Sequence, residues 1–228
     1  MTPINEIGTV GEIGLALNAG TYKEGLLDAS GALCVMDFYT KAMLDRKGFQ
    51  VRAGTITTPL VGDVVITDTA AEFCIDPPAG WTILPVCQMI SIRLATGTLH
   101  EYATKSVATA STGGAAFVLL PLATGTAGEM TAAVSTARVA AAGGVAVTGE
   151  LATTTRRHWE GSNPAAGATG ALPTSLYTLE WSPRTPPPIT TRGGSAWCIY
   201  TQIAAASTGP SYYAHMDILE FASAALGI

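Results

Sequence analysis

Charge is in short supply along this chain of 228 residues: Asp, Glu, Lys and Arg together make up 13% of it, about half the roughly 25% usual in globular domains. The 12 basic residues are outnumbered by 17 acidic ones, for a net charge of −5. Phosphate backbones are held by clustered Lys and Arg. The only adjacent basic pair is Arg156-Arg157, which reads as a solvated strand end, so no nucleic-acid partner is expected. Long apolar runs are missing as well. The Ala/Gly/Thr-rich stretches are cut by Thr, Ser, Gly or a charge before the roughly 18 apolar residues that a spanning helix needs, and no membrane partner is expected. The opening residues, MTPINEIG, carry neither a basic nor an apolar leader segment, so a secretory signal is not expected.

Catalytic and metal signatures are equally sparse. Cys34, Cys74, Cys87 and Cys198 are scattered among apolar neighbours with no Cys-x-x-Cys spacing, which predicts buried thiols in a reducing cytosol. The three histidines, His100, His158 and His215, form no His-x-x-x-His pair. His215 and Asp217 are two apart on one strand and share a face. They are two potential metal ligands without an evident third, or a simple surface hydrogen bond. His158 and Glu160 likewise suit an exposed polar face. Gly193-Gly194-Ser195-Ala196 lacks the second glycine of a nucleophile elbow, because Trp197 stands there. Gly8, Gly11 and Gly14 do not make a dinucleotide fingerprint, and no phosphate-binding loop is present. Carboxylate pairs for glycoside cleavage assemble from distant strands, so spacing does not decide that reading. No catalytic residue, metal or cofactor is expected.

What the chain does have is small residues, turns and alternation. Residues 1–27 combine five glycines with Ile4, Ile7, Val10, Ile13, Leu15 and Leu17. That is too much glycine for a helix and too much apolar surface for a solvated tail, so an extended arm docked on a partner is expected, with those six residues as its anchors. Over residues 31–47, Val35, Phe38, Tyr39, Ala42 and Met43 recur at helical spacing. Ser30 is placed to cap this one short helix, and Gly48 to close it.

From residue 49 the period changes to two. Val64 and Ile66 alternate, as do Phe73 and Ile75, then Ile90, Ile92 and Leu94. Trp197, Ile199, Thr201 and Ile203 follow the same rule, and so do Ala214, Met216 and Ile218. Pro59, Pro77-Pro78, Gly113-Gly114, Gly143-Gly144 and Gly193-Gly194 punctuate these runs. Many short alternating segments with little helix between them predict an antiparallel sandwich or barrel. Residues 106–149, rich in Ala, Thr, Val and Gly, suit close approach of sheets or subunits. Residues 161–195 hold Pro164, Pro173, Pro183 and Pro186-Pro187-Pro188 and read as a long loop. Trp197 is expected in the core. Trp159 and Trp181, which flank that loop, are the candidate exposed aromatic contacts.

Two stretches carry a resemblance. Asp37-Phe38-Tyr39-Thr40-Lys41-Ala42-Met43-Leu44, followed by Gly48-Phe49-Gln50-Val51-Arg52-Ala53-Gly54, resembles the start of the jelly-roll domain in small structural proteins of tailed phages. The ending, Ala196-Trp197-Cys198-Ile199-Tyr200, then Thr208-Gly209-Pro210-Ser211-Tyr212-Tyr213-Ala214, then Ile218-Leu219-Glu220-Phe221, looks like their last hairpin. The group includes capsid cement or decoration proteins, often trimeric. The resemblance implies an arm and short helix over 1–48 and a jelly-roll-like antiparallel β-sandwich over 49–228. It also implies a non-enzymatic homotrimer bound to the major capsid protein on the virion surface, made in the host cytoplasm. A carbohydrate-binding module of a fibre or tail, or another minor virion protein, is the alternative.

Overall fold

The computed structural model describes residues 12–17, 21–26, 38–65, 67–94, 99–123, 132–140, 144–147, 156–164, 176–180, 191–204 and 209–227. The chain divides into two compact units, Met1–Lys41 and Ala42–Ile228. In the first, Glu12–Leu17 (β1) pairs antiparallel with Thr21–Leu26 (β2), Leu17 opposite Thr21. The extended arm expected here is therefore a hairpin over these residues. Alternating Ile13, Leu15 and Leu17 make a strand, and the chain supplies its own partner for the backbone groups.

Phe38–Leu44 (α1) is the one α-helix among the described residues. It ends at Leu44, three residues short of the 31–47 predicted, and residues 31–37 lie outside the described set. Its end is fixed by Arg46, which takes the left-handed conformation (φ 58). The amide of Arg46 donates to the Met43 carbonyl and that of Lys47 to the Ala42 carbonyl, the double bond of a Schellman cap. Gly48, expected to close the helix, instead opens the first strand of the sandwich. A Cβ at that position would meet the flexible end of the Met43 side chain. Ala42 is buried and Met43 exposed, so the helical stripe is only partly a core stripe.

The remaining strands, in order, are Gly48–Ala53 (β3), Leu60–Val61 (β4), Ala70–Ala71 (β5), Phe73–Asp76 (β6), Trp81–Leu94 (β7), Leu99–Val107 (β8), Ala115–Phe117 (β9) and Leu120–Pro121 (β10). Thr136–Val139 (β11), Val145–Ala146 (β12), Arg156–Pro164 (β13), Leu176–Glu180 (β14), Thr191–Arg192 (β15), Ala196–Ala204 (β16) and Ser211–Ala222 (β17) complete the set. One sheet runs β10-β3-β17-β7-β14, with β4 and β15 at its margins; the other runs β13-β8-β16-β6-β11-β9. All pairings are antiparallel. Eight strands nest like a folded ribbon: β3 pairs β17, β6 pairs β16, β7 pairs β14 and β8 pairs β13. Rolling that ribbon adds the pairings of β17 with β7 and β16 with β8.

The two sheets face each other across one core. Val51, Ile90, Met216 and Ile218 meet Phe73, Ile75, Trp197 and Ile199. Each such side chain contributes roughly 1.5–3 kcal/mol when fully buried. The chain is thus an all-β sandwich, as its period-two pattern predicts. One feature of the pattern does not hold. In β6 all four residues are buried, because the outer face of the second sheet has a core of its own: Cys74, Ala103, Cys198 and Tyr200 pack under Ala71 and Val145 of the β5–β12 pair.

Two further expectations are corrected. Val64 is not in a strand. Val64 lies in an exposed bend, since the preceding amides of Gly62 and Asp63 are drawn to the carbonyls of Pro210 and Thr201; Ile66 lies outside the described residues. The Pro-rich region 161–195 is not loop throughout. Leu176–Glu180 forms an edge strand against β7, where flanking prolines disturb no ladder on the open side.

Candidate functional site

The buried carboxylates fasten loops. Glu72 accepts from the amides of Asp63 at 3.3 Å and Thr201 at 2.9 Å. Full burial pushes its carboxyl up to about 8, with the nearby Asp63 charge adding to the rise and the amide bonds opposing it. Asp76 takes the Ser111 amide at 2.8 Å and hydroxyl at 2.5 Å, with the Arg138 Nε at 3.5 Å. Burial still holds its carboxyl above the usual range. Glu220 takes the amides of Val134 and Ser135 at 2.8 and 2.6 Å. Each acid stands in or beside a short apolar run, the one signal in the sequence that marks it as a buried acceptor of amides.

The histidines and tryptophans are used in the same way. Trp197 is wholly buried, as expected. Its indole N–H donates to Gln88 Oε1 at 3.1 Å, and Gln88 Nε2 donates to Thr104 Oγ1 at 2.5 Å. Gln88 lies on β7 and its two partners on β16 and β8, so this bridge ties one sheet to the other. His158 stands at a bulge in β13 between Arg157 and Trp159. Its ring stacks on Trp197 at 4.8 Å, with Nε2 2.9 Å from Ser106 Oγ. The exposed face expected for His158 is thus corrected: the bulge turns its ring onto the core tryptophan. Gly194 takes a positive φ in the turn before β16, and the Ser195 hydroxyl donates to the Arg192 carbonyl, so that serine caps a turn.

Cys74 and Cys198 are directly opposite on β6 and β16, their sulfurs 3.2 Å apart and both free. Burial, then the neighbouring thiol, raises Cys74 well above its ordinary value. Cys87 is a half-buried thiol outside any disulfide, and Cys34 lies outside the described residues. Among the described residues, no group of three or more His, Cys, Asp or Glu is arranged to hold a metal, and no helix is long and apolar enough to cross a membrane.

Of the six arm anchors, Ile13, Leu15 and Leu17 lie on β1, while Ile4, Ile7 and Val10 lie outside the described residues, as does Trp181. Trp159 lies on β13 opposite Thr104.

Two surface features remain, both on the sandwich. The first is an apolar corner. The chain leaves the edge of one sheet at β9 and joins the edge of the other at β10. Leu119 plugs the core between them, while Phe117 (41% exposed), Val118 (76%) and Leu120 (53%) stay in solvent. The second is a cleft of about 310 Å³ on the outer face of the β3–β17 pair, lined by Gln50, Arg52, Thr55, Ile56, Tyr213 and His215 among others. Arg52 is opposite His215 and Gln50 opposite Asp217 in the ladder. Arg52 Nε donates to Gln50 Oε1 at 2.5 Å, and Gln50 Nε2 donates to Asp217 Oδ1 at 2.7 Å. Sequence reading places His215 and Asp217 on one face, and both are half-buried there. It did not find Arg52 and Gln50, whose partnership depends on the register of a strand far away in the chain.

Comparison with known protein families, curated proteins and solved structures finds no match to this chain.

Proposed function

We propose that this chain is a non-enzymatic structural protein of a tailed-phage head, a cement or decoration subunit that assembles with copies of itself as a homotrimer and binds the major capsid protein. The observation that carries the reading is the apolar corner at Phe117, Val118 and Leu120. It sits where both sheets present open edges, and edges that a soluble monomer would blunt with charge are apolar here. A chain with 13% charged residues has little else with which to keep such a surface apart from its neighbours.

The nested pairing of eight strands supports a jelly-roll-like reading, since two Greek keys closed into two sheets have that order. Capsid and lectin domains both use the architecture, and fold alone does not choose between them. The mechanism on this reading is mechanical: repeated copies bridge neighbouring capsomers, and interface area multiplied over a shell resists internal pressure. The arm anchors Ile4, Ile7, Val10, Ile13, Leu15 and Leu17 would add a second contact.

The test is sedimentation at micromolar concentration together with binding to particles stripped of their decoration. The expected result is a trimer that binds, and a Val118→Lys variant that melts like the parent yet sediments as a monomer. A wild-type monomer that leaves the particles bare would sink the proposal.

A further inference from the structure

We infer that the cleft between β3 and β17 is a binding site for a small carboxylate-bearing ligand about the size of one sugar ring, with Arg52 as the group that reads the carboxylate. The inference is independent of the shell reading.

It starts from a cross-strand pairing. Arg52 and His215 are directly opposite on adjacent antiparallel strands, a position where side chains with Cβ atoms about 4.5–5.5 Å apart share one patch of surface. Asp217, on the same face, makes no direct hydrogen bond to Arg52. Its Oδ1 is occupied by Gln50 Nε2, and Gln50 Oε1 in turn receives Arg52 Nε. Gln50 therefore acts as a spacer. It fixes the guanidinium through its inner nitrogen and leaves the terminal nitrogens, which make no other hydrogen bond or ion pair among the described residues. A guanidinium held by Nε offers its terminal fork to a planar oxyanion.

The rest of the cleft matches a ring that carries such a group. The hydroxyl of Tyr213 and the ring of His215 have no hydrogen-bond partner among the described residues, so two further polar groups are ready for ligand oxygens. Ile56, 63% exposed, forms an apolar lip. Gly54 turns the chain just before this lip: its φ is +72, and a Cβ there would press on the Leu60 amide and the Tyr212 carbonyl. The volume of about 310 Å³ is at the small end of ligand sites, roughly 300–1,000 Å³. That admits one ring and excludes an oligomer enclosed along its length.

The chemistry has two sources, an acidic sugar unit or a free dicarboxylate, and the experiment separates them. Titration calorimetry of the full chain with galacturonate, galactose and glutarate reads all three. Galacturonate should bind. Galactose, its neutral counterpart, should bind roughly tenfold more weakly or worse, the loss of one charge-assisted pair. Glutarate weaker than galacturonate assigns the site to acidic sugars; glutarate as tight or tighter assigns it to simple carboxylates and removes the sugar. Arg52→Ala should lose at least about tenfold for the preferred acid, and Arg52→Lys should not restore it, because a point charge lacks the fork. Arg52 is exposed, so both variants should melt like the parent, which separates lost binding from lost fold. Equal binding of galacturonate and galactose, binding unchanged in Arg52→Ala, or no binding of any of the three at millimolar concentration overturns the inference.

Discussion

At the scale of single residues the sandwich is held in part by buried polar side chains that bond across its loops and sheets. Glu72 ionises in the unfolded chain near its ordinary value of 4.5 but only near 8 when folded. Between those limits the folded state binds the extra proton, so stability is highest below the lower value and falls as pH rises toward the upper one. Asp63 and Asp76, both also raised by burial, act in the same direction. Thermal melts taken from pH 5 to pH 8 should therefore show a falling midpoint, and Glu72→Gln should flatten that slope whatever it does to the midpoint itself. An unchanged slope would mean that Glu72 is not the group responsible. Gln88 gives a second prediction. Gln88→Leu removes the acceptor that the Trp197 indole N–H has on the opposite sheet, and losing a buried hydrogen bond costs about 1–3 kcal/mol, to be read as a drop in the urea midpoint. Neither residue stands out in the sequence. A glutamine inside an apolar strand is visible, but the indole and hydroxyl it joins are distant in the chain and on the opposite sheet.

Elements differ in how far their own residues specify them. Strands β7, β16 and β17 are announced by alternation because one face packs on the shared core, and α1 by its apolar spacing, although its end is set by Arg46 rather than the glycine that sequence favours. The hairpin β1–β2 and strand β14 were missed for a common reason: glycine in one and flanking proline in the other lower local propensity, and pairing with a neighbour overrides it. Position in the sheet should also grade the cost of damage. Met216 is wholly buried in β17, which is flanked by β3 and β7, whereas Leu120 lies half in solvent on the edge strand β10. Met216→Ala should lose about 2–5 kcal/mol and Leu120→Ala no more than about 0.5 kcal/mol in chemical denaturation. Similar losses at both would mean that the edge is packed as tightly as the centre.

For the molecule as a whole, the class of fold was legible from period and turn residues, and the nested order of strands was not. Pairing of Ala53 with Ala214 or of Cys74 with Cys198 leaves no local trace. The cleft shares that fate, since half of it comes from each of two such partners. The separation of Met1–Lys41 from Ala42–Ile228 as compact units leads to a prediction at this scale. Deleting residues 1–27 should leave a cooperative melt and a strand-dominated circular dichroism spectrum, with particle binding reduced on the proposed reading. Loss of the cooperative melt would make the first unit part of the sandwich's own stability.

The central place of β17 has a consequence for how the protein is made. This strand, Ser211–Ala222, lies between β3 and β7 and, among the described residues, is the one strand that links them in the sheet order. While the chain is still growing on a ribosome, β3 and β7 have been synthesised but have nothing to join them. Ladders this far apart in sequence close slowly, and until β17 emerges the unpaired edges of both are open to strangers. Folding of the sandwich is therefore expected to be completed only once β17 is free to pair. A chain arrested at residue 210 should be soluble only with a chaperone present and should be cut readily by protease, whereas the full chain resists. Protease resistance of the arrested chain would show that the sheet closes without its middle strand.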